Sequence, residues 1–494
     1  MIITEALLFT AAFLVAKYIW DYRRFFYLAH KIPLSSFDYS IKGLYKAMNA
    51  DNKTIFLMLR ESFANNKVCT KSWFGLFLFV GIVKPEDVKL VLNSKDCLDK
   101  PRFLKFPNMP KGSLFGDVEY WHSHRKLLNP YFGARSLRNV IPIFNNKVKV
   151  LMTNLKKLEG TGEFNVLYSM TALTLETIIK VMEYDVDLQN QKSEVRDVFI
   201  ENLEKFLKIV TVRAFKFWLH PDIIFKSTKL YQKQLETASK TAMGFSQNII
   251  QNAQNLLQED VNNNERSKTF IRALVNPKNG FSSDEIQDEV HTVVLAAQDT
   301  SAIASSSTLL LLAMYKDVQR KVVDELHRIF GKTLDAPYLD YEKINELHYL
   351  EMVINETMRL LPVVPYVFRE NSVDIGISEG YVIPTGTYIV IPIFEIHRSK
   401  TIWGEDADQF LPERFEKEIF EKIPAYAYIP FAKGPRMCIG WRYAMLLMKI
   451  QLANILLRYE VDTSLKFEEL EYQFNITMNV CQGYKISLKE RIID

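Results

Sequence analysis

The stretch Phe431 to Gly440, which reads FAKGPRMCIG, places one cysteine between two glycines and close to an arginine. Gly434 and Gly440 have no side chains, so the backbone can approach a flat ligand closely and can adopt positive φ at both positions. An apolar helical pattern follows from Trp441 to Leu457. Cys438 therefore lies just before or at a helix N-terminus, where unpaired N–H groups favour the thiolate, the form of cysteine that binds iron.

The composition of the 494 residues is that of an ordered globular protein. Hydrophobic residues make up 48% and charged residues 24%, and 33 phenylalanines can line an apolar cavity. The formal net charge is only +4 and no long basic tract occurs, which argues against nucleic-acid binding. The cysteines at 69, 97, 438 and 481 show no CxxC pairing, which disfavours a zinc site or a disulfide scaffold and indicates a reducing compartment.

The N-terminus has the pattern of a marginal membrane anchor. Ala6 to Ala16 is uncharged and mostly apolar, Lys17 interrupts the run, and Arg23 and Arg24 follow it. Positive charges after the apolar run predict that the body of the protein lies on the cytoplasmic side. We expect an uncleaved anchor; a cleaved signal peptide or a helix lying on the membrane surface is the alternative.

The most informative predicted helix begins with a capping box of Ser282 and Glu285 and continues to about Met314. Asp299 and Thr300 lie near its midpoint, and several more hydroxyl residues follow them. Hydroxyl groups compete for the helix carbonyls and can open a groove in the helix. An acid and an alcohol at this place could relay protons, and a capping or packing role is the structural alternative.

Other segments complete the predicted secondary structure. Ser72 to Val83 is rich in aromatic and β-branched residues and predicts a hairpin or strand pair. Tyr381 to Pro392 has the alternating, β-branched pattern of a hairpin around Thr385 and Gly386. Leu350 to Leu361 predicts a helix on which Glu356 and Arg359 share one face and can form an ion pair.

Two further segments allow more than one interpretation. Trp121 and Arg125 are four residues apart, so on a helix they could offer an indole N–H and a guanidinium to one anion, or form an ordinary amphipathic pair. Arg213 to Phe225 mixes aromatic and basic residues, which suits either a membrane surface or a core helix with a charged face.

In this order, the features resemble the cytochrome P450 superfamily of haem-thiolate monooxygenases over essentially the whole chain. The family pattern F-x-x-G-x-R-x-C-x-G is filled by Phe431, Gly434, Arg436, Cys438 and Gly440. The resemblance implies a mainly α fold with small β-sheets (α+β) and a long central helix over the haem. It also implies an N-terminal membrane anchor over residues 1–27, a single haem-thiolate domain over residues 28–494, and Cys438 as the axial ligand of heme b iron.

The resemblance assigns further residues to the haem site. Glu356 and Arg359 match the family's E-x-x-R motif, and Arg414 matches the arginine of the P-E-R-F element that joins them in a buried network. The partners that it implies for the haem propionates are Trp121, Arg125, Arg369 and Arg436.

Ala296 to Ser301, which reads AAQDTS, resembles the A-G-x-D-T-T motif of oxygen activation, with Asp299 and Thr300 as the proton-delivering pair. Ala297 replaces the usual glycine and Ser301 the second threonine. The chain looks most like the microsomal family-four branch, many of whose members carry a glutamate at the position of Ala296 that links covalently to haem. Alanine cannot form this link, so no covalent haem ester is expected.

The implied function is the insertion of one oxygen atom from O2 into an apolar substrate such as a fatty acid, a lipid-like signal or a xenobiotic. The implied partners are NADPH-cytochrome P450 reductase, cytochrome b5 and membrane lipid, at the endoplasmic reticulum with the catalytic domain facing the cytoplasm. A haem-thiolate isomerase or dehydratase and a non-catalytic haem- or lipid-binding protein are the alternatives.

The resemblance also predicts two surfaces. The predicted contacts for an acidic reductase are Lys126, Arg135, Arg138, Lys433 and Arg442. The predicted walls of the substrate pocket are Phe103 to Val118, Arg213 to Phe225, the helix around Ala296, Val363 to Val367 and Asn475 to Val480.

Overall fold

The computed structural model describes residues 20–36, 40–63, 68–75, 77–105, 111–239, 242–262, 269–334 and 337–492, together with residues 5, 9, 12–13 and 16–18. Part of the anchor expected over residues 1–27 lies outside these residues, as does part of the pocket wall expected between Phe103 and Val118. Within the described ranges, no helix combines the length and the apolar character needed to cross a membrane.

Helices make up most of the described chain. They are α1 (Arg23–Lys31), α2 (Ile41–Met48), α3 (Asn52–Phe63), α4 (Pro85–Asn93), α5 (Gly112–Phe115), α6 (Val118–Leu128), α7 (Ala134–Leu137), α8 (Ile141–Leu155), α9 (Leu167–Val181), α10 (Ser193–Phe215), α11 (Asp222–Lys226), α12 (Lys229–Ser239), α13 (Ser246–Asn262), α14 (Phe270–Val275), α15 (Ser283–Met314), α16 (Lys316–Phe330), α17 (Tyr341–Glu346), α18 (His348–Leu360), α19 (Ile393–Ile396), α20 (Lys400–Trp403), α21 (Lys417–Phe420) and α22 (Trp441–Arg458).

The strands are short and form small sheets at the edges of the helical body. They are β1 (Cys69–Phe74), β2 (Phe77–Ile82), β3 (Phe164–Asn165), β4 (Tyr366–Glu370), β5 (Ile375–Gly376), β6 (Val382–Ile383), β7 (Tyr388–Pro392), β8 (Tyr459–Asp462), β9 (Tyr472–Asn475), β10 (Thr477–Val480) and β11 (Lys485–Glu490). One sheet has the order β1-β2-β7-β4, another β3-β11-β8, and β5-β6 and β9-β10 are separate pairs. The mainly α fold with small sheets is confirmed.

The strand pair predicted from Ser72 to Val83 is present, although it starts earlier because Cys69 pairs with Ile82. The hairpin predicted over Tyr381 to Pro392 is wrong. Its two strands enter different sheets, because β6 pairs with β5 whereas β7 lies between β2 and β4.

The Asn371 side chain explains this change of sheet. Its amide donates to the carbonyl of Pro384 at 2.9 Å, and its oxygen accepts from the N–H of Thr387 at 2.9 Å. These bonds fix the turn between β6 and β7 and direct the chain from one sheet to the next.

Helix α15 is the centre of the molecule and matches its predicted bounds. Ser282 and Glu285 form the predicted capping box, and the 32 residues that follow Ser282 make a helix about 48 Å long. The helix packs most extensively against α9 and also contacts α18 and α22. Its second half carries Leu309 to Leu312, all fully buried. The polar middle of α15 is therefore held in place by an apolar end and neighbouring helices.

Candidate active site

The cysteine loop (Phe431–Gly440) folds back on itself just before α22. The N–H of Cys438 donates to the carbonyl of Phe431 at 2.9 Å, and the N–H of Met437 donates to that of Gly434 at 3.0 Å. Gly434 has φ 79°, and a Cβ there would lie 2.1 Å from the carbonyl oxygen of Leu92 in α4. Glycine is thus required at this position by conformation and by space.

Gly440 plays a different part from Gly434. Its φ is −89°, so the positive φ allowed by the sequence is not used, and a Cβ there would meet no protein atom within 4 Å. Gly440 is the N-cap residue of α22, and its backbone N–H favours the thiolate of Cys438. The free space beside it leaves room for a flat ligand against the loop.

The Cys438 side chain is accessible, although protein atoms surround the thiol closely enough to desolvate it. Burial raises the pKa of this thiol, whereas the N–H of Gly440 and the charge of Arg125 act in the opposite direction. Bound iron would add a stronger preference for the thiolate than either group.

A buried ion pair supports the segments that precede the loop. Arg359 contacts Glu356 at 2.6 Å, and both side chains are 0% exposed. Arg359 also donates to the carbonyls of His397, Ala407 and Gln409 at 2.6 to 3.0 Å. Burial raises the pKa of the Glu356 carboxyl while the arginine lowers it. The pair matters mainly because either charge alone would be buried without compensation.

Arg414 completes this network as the sequence predicted. Its guanidinium lies 3.7 Å from the Glu356 carboxylate and 2.9 Å from Asp406. The N–H of Leu411 donates to Glu356 at 2.9 Å. The ion pair of Glu356 and Arg359 on α18 therefore joins this helix to His397 and to the segment from Ala407 to Arg414.

His397 connects the network to the cysteine loop. Its Nε2 accepts from the N–H of Ile429 at 2.9 Å, two residues before Phe431. Burial lowers the pKa of His397 to about 3, so the ring is neutral and able to accept this bond. The sequence offered no local signal for this contact beyond the resemblance.

Trp121 and Arg125 on α6 both reach the cysteine loop. Arg125 donates to the carbonyl of Met437 at 2.8 Å, beside Cys438, and the guanidinium of Arg436 lies 4.4 Å above the Trp121 ring. These contacts show that the pair lies beside the loop, as the family pattern implies. The contact of each side chain with a propionate stays a prediction.

A neighbouring face of α6 is tied to α15 by a buried histidine and acid that sequence analysis missed. His124 Nδ1 lies 3.2 Å from Glu289 Oε2, and both side chains are 0% exposed. The N–H and hydroxyl of Ser113 donate to the same carboxylate at 2.7 and 2.5 Å. These bonds hold α6 in register with the central helix.

Three cations from separate segments meet near the loop and form the cation cluster (Lys100, Arg369, Arg436). Arg369 is buried and the other two are partly buried. Burial lowers the pKa of Lys100 well below its usual range, and the charges of Arg369 and Arg436 lower it further. Burial likewise lowers the pKa of each arginine to about 10.

Among the residues described, no carboxylate forms an ion pair with these three cations. Asp99 and Asp117 act on the cluster only from a distance, and Asp99 contacts Lys105 at 2.6 Å instead. Arg436 donates only to the carbonyls of Ser113 and Gly116, at 3.5 and 3.2 Å, and its Nε has no partner. A buried positive cluster of this kind is unfavourable unless a ligand brings negative charge.

A haem fits these observations. The two propionates would supply the missing anions, the open space at Gly440 would admit the macrocycle, and the accessible sulfur of Cys438 is a suitable iron ligand. Lys100 is the member of this set that sequence analysis missed, because a lysine in a loop gives no signal of its burial.

On the central helix, the predicted acid and alcohol are adjacent in sequence but contact different partners. The Asp299 carboxylate accepts from the Thr477 hydroxyl at 2.8 Å, whereas the Thr300 hydroxyl donates to the carbonyl of Ala296 at 2.7 Å. Burial raises the pKa of Asp299 to about 6. The acid therefore titrates in a range where it can both hold and release a proton.

The hydroxyl residues of α15 compete for helix carbonyls, as predicted. Ser305 and Thr308 donate to the carbonyls of Ser301 and Ala304, each at 2.8 Å, in the same way as Thr300. Ala296 and Ala297 are partly buried on the same turn as Thr300. The bonds on successive turns leave the helix continuous over its whole length.

A small apolar cavity lies between the four-stranded sheet and the end of α10. Its lining includes Phe79, Phe103, Phe215, Phe217, Phe368 and His220. Two of the predicted pocket walls, those that begin at Phe103 and at Arg213, contribute to it. Burial lowers the pKa of His220, whose Nε2 lies 3.0 Å from the carbonyl of Ala214. The cavity thus presents aromatic rings and little charge.

The segment from Arg213 to Phe225 is partly buried and partly exposed, and its contact with a membrane stays a prediction. Arg213 is buried, pairs with Asp222, and lies 4.1 Å over the Phe225 ring. Ile223 and Ile224 are exposed, with 83% and 45% of their surface accessible. One side packs in the core and the other presents apolar groups to the outside.

Comparison with known proteins agrees with this site. The family model described as Cytochrome P450 matches residues 48–488. The Drosophila melanogaster protein named "Probable cytochrome P450 313a4" is 31% identical over 488 residues, 96% of this chain and 96% of that protein. "Cytochrome P450 4g1" and "Cytochrome P450 4c3" of the same organism are 28% and 29% identical, over 85% and 90% of this chain and 82% and 86% of theirs.

Members of this family bind haem through an axial cysteine thiolate, use O2 with a redox partner, and act on apolar substrates. The match spans most of the chain and includes the cysteine loop and the central helix. The chain therefore belongs to the cytochrome P450 family and is a haem-thiolate monooxygenase.

Proposed function

We propose that residues 28–494 form a single catalytic domain that inserts one oxygen atom of O2 into a fatty acid, a lipid-like signal or a xenobiotic, with electrons from NADPH-cytochrome P450 reductase. Cytochrome b5 is the second proposed electron donor. The observation that carries this proposal is the accessible Cys438 side chain, together with a cation cluster that forms no ion pair with any carboxylate of the described residues.

In this proposal the cysteine loop holds the cofactor. Cys438 supplies the thiolate, and the Gly440 N–H and Arg125 stabilise its charge. Phe431, the first residue of the loop, packs against the hydrophobic core and restricts water. The bound haem supplies the activation of O2, with electron density donated by the thiolate.

The cations near the loop orient the group through its two carboxylates. Arg369, Arg436 and Lys100 form the cluster, and Trp121 with Arg125 completes the set from α6. Each charged hydrogen bond to a carboxylate contributes about 1.5–3 kcal/mol. The network of Glu356, Arg359 and Arg414 keeps the loop in place and makes no contact with the cofactor.

Asp299 and Thr300 move protons on the opposite face. Asp299 has a pKa of about 6 and can take up a proton and pass it inward. The Thr300 hydroxyl donates to the Ala296 carbonyl, which leaves its oxygen lone pairs free to accept a proton from the acid side. Ala296 and Ala297 lie on the turn of the helix that precedes Thr300, and in this proposal they limit the room above the cofactor.

The proposed substrate class follows from the aromatic cavity. Its phenylalanine rings bury apolar surface at about 25 cal/mol per Å² and offer no charge to a polar head group. The lining therefore suits the apolar part of a substrate, and the ionised head group of a fatty acid would have to lie outside it.

The proposed reductase face lies on the cysteine-loop side. Lys126 follows Arg125, which contacts the loop, and Lys126, Arg135, Arg138 and Arg442 are all exposed. Lys433 is partly buried and lies over Tyr426. An acidic partner docking here would approach the thiolate side of the cofactor.

We also propose attachment to the endoplasmic reticulum membrane through residues 1–27, with the catalytic domain in the cytoplasm. The apolar run before Arg23 and Arg24 supports the anchor. The exposed side chains of Phe217, Ile223 and Ile224 support a second contact with lipid.

The test is turnover by the purified protein with NADPH and the reductase, using compounds selected by the shift in haem spin state. Under isotopically labelled O2, the monooxygenase incorporates one labelled oxygen atom per product. Product formed from a peroxide without reductase would instead favour an isomerase or dehydratase. Ligand binding with no turnover under either condition would favour a non-catalytic binding protein.

A further inference from the structure

The Asp299 carboxylate is bonded to the β9–β10 hairpin, outside the helix that carries it. Thr477 Oγ1 donates to Asp299 Oδ2 at 2.8 Å, although the two residues are 178 positions apart. Asn479 Nδ2 donates to the same threonine oxygen at 3.3 Å. The carbonyl of Asn475 is a second acceptor for the Thr477 proton at 3.5 Å, so the shorter bond to the Asp299 carboxylate is the favoured one.

The hairpin presents Thr477 from a fixed position. Thr477 pairs with Asn475, so Ile476 alone forms the tip, and its φ of 66° is rare for a β-branched residue. Asn52 of α3 donates to the Asn475 side chain at 2.7 Å. The N–H of Met478 donates to the carbonyl of Val363 at 2.8 Å. Contacts on both strands hold the strained tip in place.

Charges around Asp299 come from several elements. Burial raises its pKa to about 6, the bond from Thr477 lowers it, and Glu204 on α10 raises it. Tyr484, just before β11, is the other titratable group whose pKa is coupled to Asp299. Thr477 is thus the contact that favours the ionised form of this acid.

We propose that Thr477 is a positioning residue for the oxygen chemistry, whose hydroxyl holds the Asp299 carboxylate on the β9–β10 hairpin and stabilises its ionised form. This inference rests on the proton-delivery role proposed above for Asp299. The tip residue Ile476 also packs with Phe115, Phe206 and Val210, so one rigid element joins the acid to an apolar wall of the molecule.

The test follows the titration of Asp299 in the purified, haem-loaded protein. The carboxylic acid C=O stretch is measured by infrared difference spectroscopy over a range of pH, and its loss in Asp299→Asn assigns the band. The wild-type midpoint is expected at about 6. Thr477→Val keeps the side-chain shape and removes the donor, so the midpoint should rise by about one to two pH units.

Two variants separate the hydrogen bond from packing. Thr477→Ser keeps the donor and should restore the wild-type midpoint. Thr174→Val removes a buried hydroxyl that donates at 2.8 Å to the carbonyl of Gln298, next to Asp299, and should leave the midpoint unchanged. If Thr477→Val does not fold, Thr477→Ala takes its place, and the titration midpoint should rise by the same amount.

An unchanged midpoint in Thr477→Val, or equal shifts in the valine and serine variants, would overturn the proposal. The thiolate-type Soret band of the reduced carbon monoxide complex is recorded for every variant. A missing band in the wild type refutes the proposed function, whereas a normal band with an unchanged midpoint refutes only the role of Thr477.

Discussion

The cysteine loop and the middle of α15 carry the two halves of the chemistry, but they are held in different ways. In the loop, the backbone of Cys438 is bonded to Phe431, Gly434 lies against Leu92, and Arg125 reaches Met437. At the middle of α15, Asp299 has one described hydrogen-bond partner from another element, Thr477. The loop is fixed by many contacts, and the acid by few.

This difference explains why one region matches the family pattern fully and the other does not. A Cβ at position 434 would lie 2.1 Å from the carbonyl oxygen of Leu92, so only glycine fits there. Under the function proposed above, Ala297 limits the room for a ligand, and a change in the size of its side chain should leave the fold intact. We therefore expect substitution at the middle of α15 to alter the chemistry, and substitution around the loop to alter the fold.

Removal of the Arg359 charge from the buried network that supports the cysteine loop should have the largest effect on the fold. Arg359→Leu leaves Glu356 buried and unpaired, so the free energy of unfolding should fall by about 3–5 kcal/mol. Denaturant unfolding followed by circular dichroism measures the loss. Thr300→Val on α15 is the matched control and should change it by less than about 1 kcal/mol. An equal loss of unfolding free energy in Arg359→Leu and Thr300→Val would show that the loop and the middle of α15 contribute equally to the fold.

Acid should weaken the support of the loop through His397. The folded protein holds this ring neutral, with a pKa of about 3, whereas the unfolded chain protonates it near 6.5. The stabilisation is present above about pH 6.5 and is lost at about 1.4 kcal/mol per pH unit as the pH falls toward 3.

His397→Asn tests this account, because the asparagine oxygen can accept the N–H of Ile429 without titrating. Unfolding free energies at pH 7 and pH 5 should differ by about 2 kcal/mol less in the variant than in the wild type. The same pH dependence in both proteins would show that His397 does not carry the effect.

Lys100→Met should stabilise the haem-free protein and weaken the binding of haem. Loss of a buried cation stabilises the haem-free protein, because its pKa shows that burial and two arginines oppose the charge. The same loss removes a partner of the propionates, so haem affinity should fall about tenfold. Haem transfer to an acceptor protein measures the affinity, and thermal unfolding measures the stability.

Lys95→Met is the control for this prediction, since Lys95 is exposed in the neighbouring segment. It should leave both quantities unchanged. Wild-type haem retention in Lys100→Met would remove Lys100 from the site and leave the arginines as the proposed partners.

Thr300→Ala should have the smallest effect on the fold and a clear effect on the chemistry. The folding free energy should change by less than about 1 kcal/mol, and product formed per NADPH should fall to about a tenth or less. Thr308→Ala is the control, because Thr308 bonds its own helix at 2.8 Å in the same way. A Thr300 variant that remains as well coupled as the wild type would refute the proton-delivery role.

Local signals made much of the fold predictable. The capping box at Ser282 set the start of α15, and the spacing of Glu356 and Arg359 on one helix set their ion pair. The motif around Cys438 placed the loop before a helix, where the structure has it. In each case the decisive contacts join residues close in sequence.

The features that were missed depend on distant contacts. The strand pairing of β7 joins it to β2, far away in the chain, so the local pattern from Tyr381 to Pro392 suggested a hairpin that does not form. Lys100 looks like any surface lysine until its neighbours in the fold are known. The bond from Thr477 to Asp299 likewise appears only when the hairpin is placed on α15.

The reduced carbon monoxide spectrum tests the central claim most directly, which is that the Cys438 thiolate is the iron ligand. The account predicts a thiolate-type Soret band in the wild type and in Cys481→Ser, and its loss in Cys438→Ser. A thiolate-type band that persists in Cys438→Ser, or that is absent from the haem-loaded wild type, would contradict it.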